Sequence, residues 1–150
     1  MILDWLAAGL NYKKCTIFVQ SDIKATFELY SILSMFTPLS WLNRTPSFKD
    51  NNNKKLETHG FLGYPLLQGA DILILGGNLV PIGEDQIPHL ELIKKIVKKF
   101  NKDCNNKILS IPKPILSKHK KILGTDGNKM SKSNNNTILI SDNISNIKKK

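Results

Sequence analysis

One stretch near the start of the chain constrains its fold most strongly. It consists of an apolar run, then side chains that can cap a helix, then apolar residues at helical spacing. The run CTIFVQ, residues 15–20, is typical of a buried strand because β-branched and aromatic side chains favour extended backbone. Ser21 and Asp22 can cap a following helix, in which apolar residues recur at helical spacing from Ile23 and Phe27 onward. A strand, a cap and a helix in this order form the βα unit of a parallel sheet, so we expect an α/β fold.

Further elements are predicted along the chain. The apolar pattern predicts a helix over residues 64–75, with Pro65 at its first turn, and a short apolar segment at residues 79–82. A further helix is expected over residues 85–100. Residues 137–140, TILI, are typical of a short strand.

Composition excludes some protein classes but does not select a partner. The net charge is +10, which is compatible with affinity for RNA. Lys, Ile and Asn make up 54 of the 150 residues and have A/T-rich codons, so codon drift accounts for the charge equally well. No apolar run approaches the roughly 20 residues that span a bilayer, and the first residues do not form a signal peptide. We therefore expect a soluble cytoplasmic protein without membrane association.

Four lysines lie on the polar face of the helix predicted over residues 85–100, at positions 94, 95, 98 and 99. They are compatible with a solvated helix face or with a surface that faces RNA. The two cysteines and three histidines do not have the spacing of a zinc site, so no metal site is predicted.

A glycine-punctuated loop contains the string KMSKS, residues 129–133. Lys129 and Lys132 are three residues apart and can both reach one polyphosphate, with hydroxyl groups between them to bind its oxygens. A solvated basic loop is the alternative interpretation of this string.

Three polar residues share one face of the predicted helix 64–75. Tyr64, Gln68 and Asp71 are four and three residues apart, which places them together on a helix surface. An acid on an apolar face must be solvated, paired or bound to a donor from a ligand. Asp71 is therefore a candidate ligand-binding residue, and a structural cap or ion pair is the alternative.

Together these strings resemble the tryptophanyl-tRNA synthetase family, which belongs to the class I aminoacyl-tRNA synthetases. KMSKS is the class I signature. The sequence YPLLQGADILI followed by LVPIGEDQ, residues 64–74 and 79–86, looks like the tryptophan-specific pattern, whereas the tyrosyl family usually has a Tyr-Asp pair in place of Ala70-Asp71. The resemblance covers residues 3–150 and implies a Rossmann-like parallel sheet.

The resemblance also implies roles for individual residues. The Asp71 carboxylate would accept the indole N–H, and Tyr64 and Gln86 would hold the ammonium group. The implied tryptophan site consists of Tyr64, Gln68, Asp71, Val80, Ile82 and Gln86. The implied ATP contacts are Gly83, Glu84, Asp85, Ile122, Lys129, Met130, Ser131, Lys132 and Ser133.

The implied reaction is the attack of the tryptophan carboxylate on the α-phosphate of Mg-ATP, followed by transfer of tryptophan to tRNA(Trp). Lys129, Lys132 and, from a polar loop, Lys49 would neutralise phosphate charge as the catalytic residues. No tightly bound cofactor is expected. The family also implies a homodimer.

The chain lacks the HIGH-type motif of the family, and its KMSKS loop lies near its last residue. We therefore expect residues 1–150 to be a partial catalytic domain, the C-terminal portion of the class I fold, without the HIGH-motif half and the anticodon-binding domain. Such a piece would expose a sheet edge and apolar surface.

Four interpretations remain open at this point. The chain is active with its other part, which a separate chain could carry, or it is an inactive remnant. A third interpretation is a non-catalytic module that binds tryptophan or RNA. The fourth is a specificity like that of the tyrosyl enzymes.

Overall fold

The computed structural model describes residues 2–46, 58–116, 122–128, 130–131 and 134–149. The chain divides into two compact units. The larger unit is Val19–Ser117, and the smaller unit combines Met1–Phe18 with Lys118–Lys150.

Among the residues that the structure describes, the larger unit contains four α-helices and two strands. The helices are α2 (Lys24–Phe36), α3 (Leu39–Leu42), α4 (His59–Ile74) and α5 (Ile87–Asp103), and the strands are β1 (Leu79–Ile82) and β2 (Lys113–Leu116). Helix α4 packs against α2 and α5, and α2 also contacts α5. The core between these helices consists of Leu29, Leu33, Leu42, Leu66, Ala70, Leu73, Leu90, Leu92, Ile93, Ile96, Val97 and Phe100.

The two strands are parallel neighbours. Leu79 is paired with Lys113, and Ile82 is paired with Leu116. A parallel pair requires a long crossover, which a 3-10 turn at Glu84–Gln86 and helix α5 supply. The predicted α/β class with a parallel sheet is confirmed, and the apolar segment at residues 79–82 is strand β1.

Small residues allow the helices to approach closely. A Cβ atom added at Gly69 of α4 would lie 3.1 Å from a side-chain carbon of Ile93 on α5. One added at Gly63 would lie 2.7 Å from the Tyr30 hydroxyl of α2. Glycine at these two positions therefore fixes how near α4 lies to both neighbouring helices.

The polar face of α5 makes contacts within the chain. Lys94 pairs with Glu91 at 2.7 Å, Lys99 pairs with Asp103, and the ammonium of Lys95 lies 3.9 Å from the centre of the Trp41 ring. These contacts are typical of a solvated helix face, the first of the two interpretations above.

The predicted strand at residues 15–20 is wrong. Ile17, Phe18 and Val19 are exposed and have no regular structure, and Gln20 begins a 3-10 turn that ends at Asp22. A strand needs a neighbour to complete its backbone hydrogen bonds, and no described strand pairs with this segment.

The boundaries of the predicted helices also change, and the helix predicted over residues 85–100 is α5, Ile87–Asp103. Ile23 occupies the N-cap of α2 without a side-chain cap bond, so Ser21 and Asp22 do not cap it. Helix α4 begins at His59, five residues before the predicted start, because the Thr58 hydroxyl caps it by accepting from the Phe61 amide at 3.1 Å. Pro65 therefore lies inside α4.

The smaller unit contains the short helices α1 (Ile2–Ala7) and α6 (Ile144–Lys149). The predicted strand at residues 137–140 is wrong. The Leu139 amide donates to the Asp142 carboxylate at 2.8 Å, and the Asp142 amide donates back to the Leu139 carbonyl at 3.0 Å. This local turn replaces the strand ladder.

Exposed apolar side chains are frequent in both units, as expected from the sequence; Leu3 and Met35 are examples. Among the residues that the structure describes, no helix combines the length and apolar character needed to cross a membrane.

Candidate functional site

Helix α4 presents the three polar side chains that helical spacing predicts to share a face. Tyr64, Gln68 and Asp71 are all half-buried on this helix. The buried face of α4 is held against α5 through Gly69, which brings the polar residues of α4 close to the first turn of α5.

Tyr64 and Gln68 meet at a histidine of α5. The Tyr64 hydroxyl lies 3.3 Å from His89 Nε2, and Gln68 Oε1 lies 3.1 Å from His89 Nδ1. His89 is only 5% exposed. Its ring also meets the Tyr64 ring edge-on, with centroids 5.3 Å apart. His89 therefore links the two polar residues of α4 from the neighbouring helix.

The 3-10 turn before α5 extends this network. Gln68 Nε2 donates to Gln86 Oε1 at 3.3 Å, and Gln86 Nε2 donates to the Asp85 carboxylate at 3.2 Å. A Cβ atom added at Gly83 would lie 2.5 Å from Asp85 Oδ1, so glycine leaves room for this carboxylate. The structure thus brings together Tyr64, Gln68 and Gln86.

Asp71 has a partner that the sequence does not reveal. Gln20 Nε2 lies 2.9 Å from both carboxylate oxygens of Asp71 and donates to them. Gln20 is 51 residues away in the chain, at the end of the strand that the sequence predicts over residues 15–20. A polar residue directly after an apolar run was the available signal, because such positions commonly border binding sites in α/β folds.

Val80 and Ile82 are half-buried on β1 and pack against the hydrophobic core. Their alternation with the exposed Leu79 and Pro81 follows from the two-residue period of a strand. They therefore share one face of β1, although their contact with a ligand stays a prediction.

The net electrostatic effect on His89 favours its neutral form. Burial lowers the pKa of His89 below its ordinary value, and the nearby Asp85 carboxylate opposes this effect without reversing it. Among the described residues, no group of three or more potential ligands could hold a metal ion.

The predicted phosphate loop belongs to the smaller unit. The Met130 amide donates to the Ile122 carbonyl at 2.9 Å, and the Ser131 amide donates to Asn136 Oδ1 at 2.8 Å. Ile122 is 66% exposed, and Met130 and Ser131 are half-buried. Four of the predicted residues, Lys49, Lys129, Lys132 and Ser133, lie outside the described residues.

Asn136 organises this loop, which sequence reasoning did not predict. Its side chain is 2% exposed; Nδ2 donates to Asp126 Oδ1 at 2.7 Å, while Oδ1 accepts from Ser131. Hydrogen bonds from Asn136 and Asn128 lower the pKa of Asp126. A Cβ atom at Gly124 would lie 2.4 Å from Asn136 Cγ, so only glycine fits there.

Comparisons with known proteins identify the family. The whole chain, residues 1–150, matches the family described as tRNA synthetases class I (W and Y). A tryptophan–tRNA ligase of Ralstonia nicotianae is 50% identical over 105 residues, which cover 67% of this chain and 26% of the relative. One from Fusobacterium nucleatum is 44% identical over 92% of this chain and 43% of the relative.

A solved structure shows the same relationship. The tryptophanyl-tRNA synthetase of Campylobacter jejuni, in complex with ADP and tryptophan, has a TM-score of 0.86 and 40% sequence identity. The match covers 97% of this chain and 46% of that one, so the chain spans less than half the length of these relatives. The chain belongs to the class I tRNA synthetase family of the tryptophan and tyrosine enzymes.

Proposed function

We propose that this chain contributes the tryptophan-selecting part of a tryptophan–tRNA ligase, which activates L-tryptophan with ATP and transfers it to tRNA(Trp). One observation carries the proposal. The Asp71 carboxylate lies on the same helix face as Tyr64 and Gln68, whose hydrogen bonds extend to Gln86. The relatives named above as tryptophan–tRNA ligases support it.

Asp71 is suited to recognise the indole ring. The indole nitrogen is a donor only, and an ionised carboxylate is an acceptor only. Gln20 donates to both oxygens of Asp71 and orients them, while a carboxylate retains further lone pairs for a second donor. A hydrogen bond to a charged group contributes about 1.5–3 kcal/mol, which is sufficient to select indole over a ring without that donor.

The other tryptophan contacts follow from the same arrangement. The Tyr64 oxygen and Gln86 Oε1 are acceptors suited to an ammonium group. Val80 and Ile82 share one face of β1 and would contact the flat ring. Gln68 joins Gln86 to His89 and holds this set in place.

The nucleotide is proposed to contact Gly83, Glu84 and Asp85. A tryptophan carboxylate oxygen attacks the α-phosphorus of Mg-ATP, and the bond to the β-phosphate oxygen breaks to release pyrophosphate. No protein nucleophile is needed, so catalysis consists of positioning and charge neutralisation. Lys129, Lys132 and Lys49 are proposed to supply the positive charge, and Ile122, Met130, Ser131 and Ser133 to contact ATP.

The test is tryptophan-dependent exchange of pyrophosphate into ATP by the protein that carries this chain. We expect exchange with L-tryptophan, little with L-tyrosine, and loss of exchange in Asp71→Ala. Glu28→Ala, which removes an exposed carboxylate from α2, is the matched control and should retain activity.

Other outcomes contradict parts of the proposal. Exchange with L-tyrosine would indicate the tyrosyl specificity. Salt-sensitive RNA binding by a folded protein without exchange would favour the non-catalytic module. A homodimer, which the family resemblance implies, is tested by analytical ultracentrifugation.

A further inference from the structure

Four hydrogen bonds connect Asp85 to Tyr64 through Gln86, Gln68 and His89. The direction of each bond follows from the donor and acceptor groups of these side chains. A carboxylate only accepts, so the Gln86 group that faces Asp85 must be its NH2, and its carbonyl faces Gln68. Gln68 must then offer its NH2 to Gln86, which leaves Gln68 Oε1 for His89. Each amide orientation follows from the previous one, starting from the charge on Asp85.

The same reasoning fixes the tautomer of His89. Because Gln68 Oε1 is an acceptor, His89 Nδ1 must carry the proton. In a neutral imidazole the other nitrogen, Nε2, then has no proton and accepts. The Tyr64 hydroxyl, 3.3 Å away, must therefore be the donor.

We propose that His89 is a positioning residue. It accepts a hydrogen bond from the Tyr64 hydroxyl, so that the phenol oxygen presents its lone pairs to the primary ammonium of the bound amino acid. This inference rests on the proposed tryptophan site and adds a residue and a polarity to it. An ammonium group only donates, so a hydroxyl proton aimed at it would repel it.

Two features of the surroundings favour this arrangement. All four hydrogen bonds run in one direction, from the Tyr64 hydroxyl to the Asp85 carboxylate, so each donor polarises the next. Burial lowers the pKa of His89 and so favours its neutral form, although the Asp85 charge opposes this effect. A protonated His89 would donate from both nitrogens, and the Tyr64 proton would then turn towards the ligand.

The first experiment does not depend on ligand binding. Nitrogen NMR of the ¹⁵N-labelled full chain at pH 7 distinguishes the two neutral tautomers and the charged form of His89, assigned by comparison with His89→Gln. We expect a proton on Nδ1 and none on Nε2. A proton on Nε2, alone or together with one on Nδ1, would overturn the inference.

The second experiment separates the ammonium from the rest of the ligand. Calorimetry compares L-tryptophan with indole-3-propionate, which keeps the ring and the carboxylate but has no amine. We expect Tyr64→Phe and His89→Phe to weaken L-tryptophan about tenfold or more and to leave indole-3-propionate within about twofold. His89→Gln, whose carbonyl can accept from Tyr64, should restore most of the affinity.

Controls distinguish failure of this inference from failure of the proposed function. His59→Gln, at the exposed start of α4, should change neither affinity. Asp71→Ala should weaken both ligands. If wild-type protein binds neither ligand, the proposed function fails, whatever the tautomer. If both ligands bind and His89→Phe and Tyr64→Phe weaken them equally, the role of His89 is wrong.

Discussion

Removing the Asn136 side chain should release the phosphate loop locally. In Asn136→Ala the Ser131 amide loses its acceptor at 2.8 Å, and Asp126 loses a donor at 2.7 Å. Asn136 is 2% exposed and Ser131 is half-buried, so water replaces the bond to the Ser131 amide poorly. The substitution should therefore act on the loop between Gly124 and Asn136 and leave the larger unit unchanged.

The magnitude follows from the bond to Ser131. Deleting one partner of a buried hydrogen bond costs about 1–3 kcal/mol, which corresponds to a factor of about 5 to 150 in a local opening equilibrium. The lost bond to Asp126 should not add to this free energy, because Asp126 is exposed and water can replace the bond. Hydrogen–deuterium exchange at the Ser131 amide measures this factor directly.

The matched control is Asn134→Ala, which changes an exposed side chain in the same loop. Its Ser131 amide should exchange within about twofold of the wild-type rate. Equal exchange rates of the Ser131 amide in wild type and Asn136→Ala would refute the proposed role of Asn136. Faster exchange throughout the protein would also refute it, since the effect would then be global.

Three further predictions concern stability. Ile93→Ala should lower the free energy of unfolding in urea by about 2–5 kcal/mol, because Ile93 is 1% exposed, whereas the exposed Ile32→Ala should change it by less than about 0.5 kcal/mol. The lowered pKa of His89 means that the unfolded chain binds its proton more readily. The contribution of neutral His89 to the stability of the folded chain is fully present above its ordinary pKa of 6.5, and it is lost as the pH falls from there towards the folded pKa. Thermal melts of wild type and His89→Gln over this pH range test the prediction, and a difference in melting temperature that does not change with pH contradicts it. Lys95→Ala should cost about 0.5–1 kcal/mol through its contact with Trp41, and a thermal melt unchanged from that of Lys98→Ala would contradict this.

The parts of the site that sequence predicts are those within one helix or one turn. Tyr64, Gln68 and Asp71 share a face of α4 because the 3.6-residue period brings positions three and four apart together. Gln86 lies in the turn immediately before α5, where the sequence places a helix start.

The two residues that the sequence does not predict connect different elements of the fold. Gln20 reaches Asp71 across 51 residues, and His89 joins α4 to α5, so neither contact follows from local spacing. A signal for His89 existed in its position beside Leu90 at the apolar start of a helix. A buried histidine needs hydrogen-bond partners, and two are present on α4.

The incorrect strands have a common physical reason. The apolar residues 15–20 and 137–140 have strand composition, but a strand is stable only with a hydrogen-bonded neighbour. The described sheet contains only β1 and β2. At residues 139–142 the Asp142 carboxylate and backbone satisfy the local polar groups instead.

Equilibrium dialysis of labelled L-tryptophan, with unlabelled L-tyrosine as competitor, tests the central claim most directly. We expect wild-type protein to bind L-tryptophan, a hundredfold excess of L-tyrosine not to displace it, and Asp71→Ala to weaken binding by about tenfold or more. Displacement by L-tyrosine would contradict selectivity for the indole ring, and equal binding of L-tryptophan by Asp71→Ala would contradict recognition of that ring by the Asp71 carboxylate.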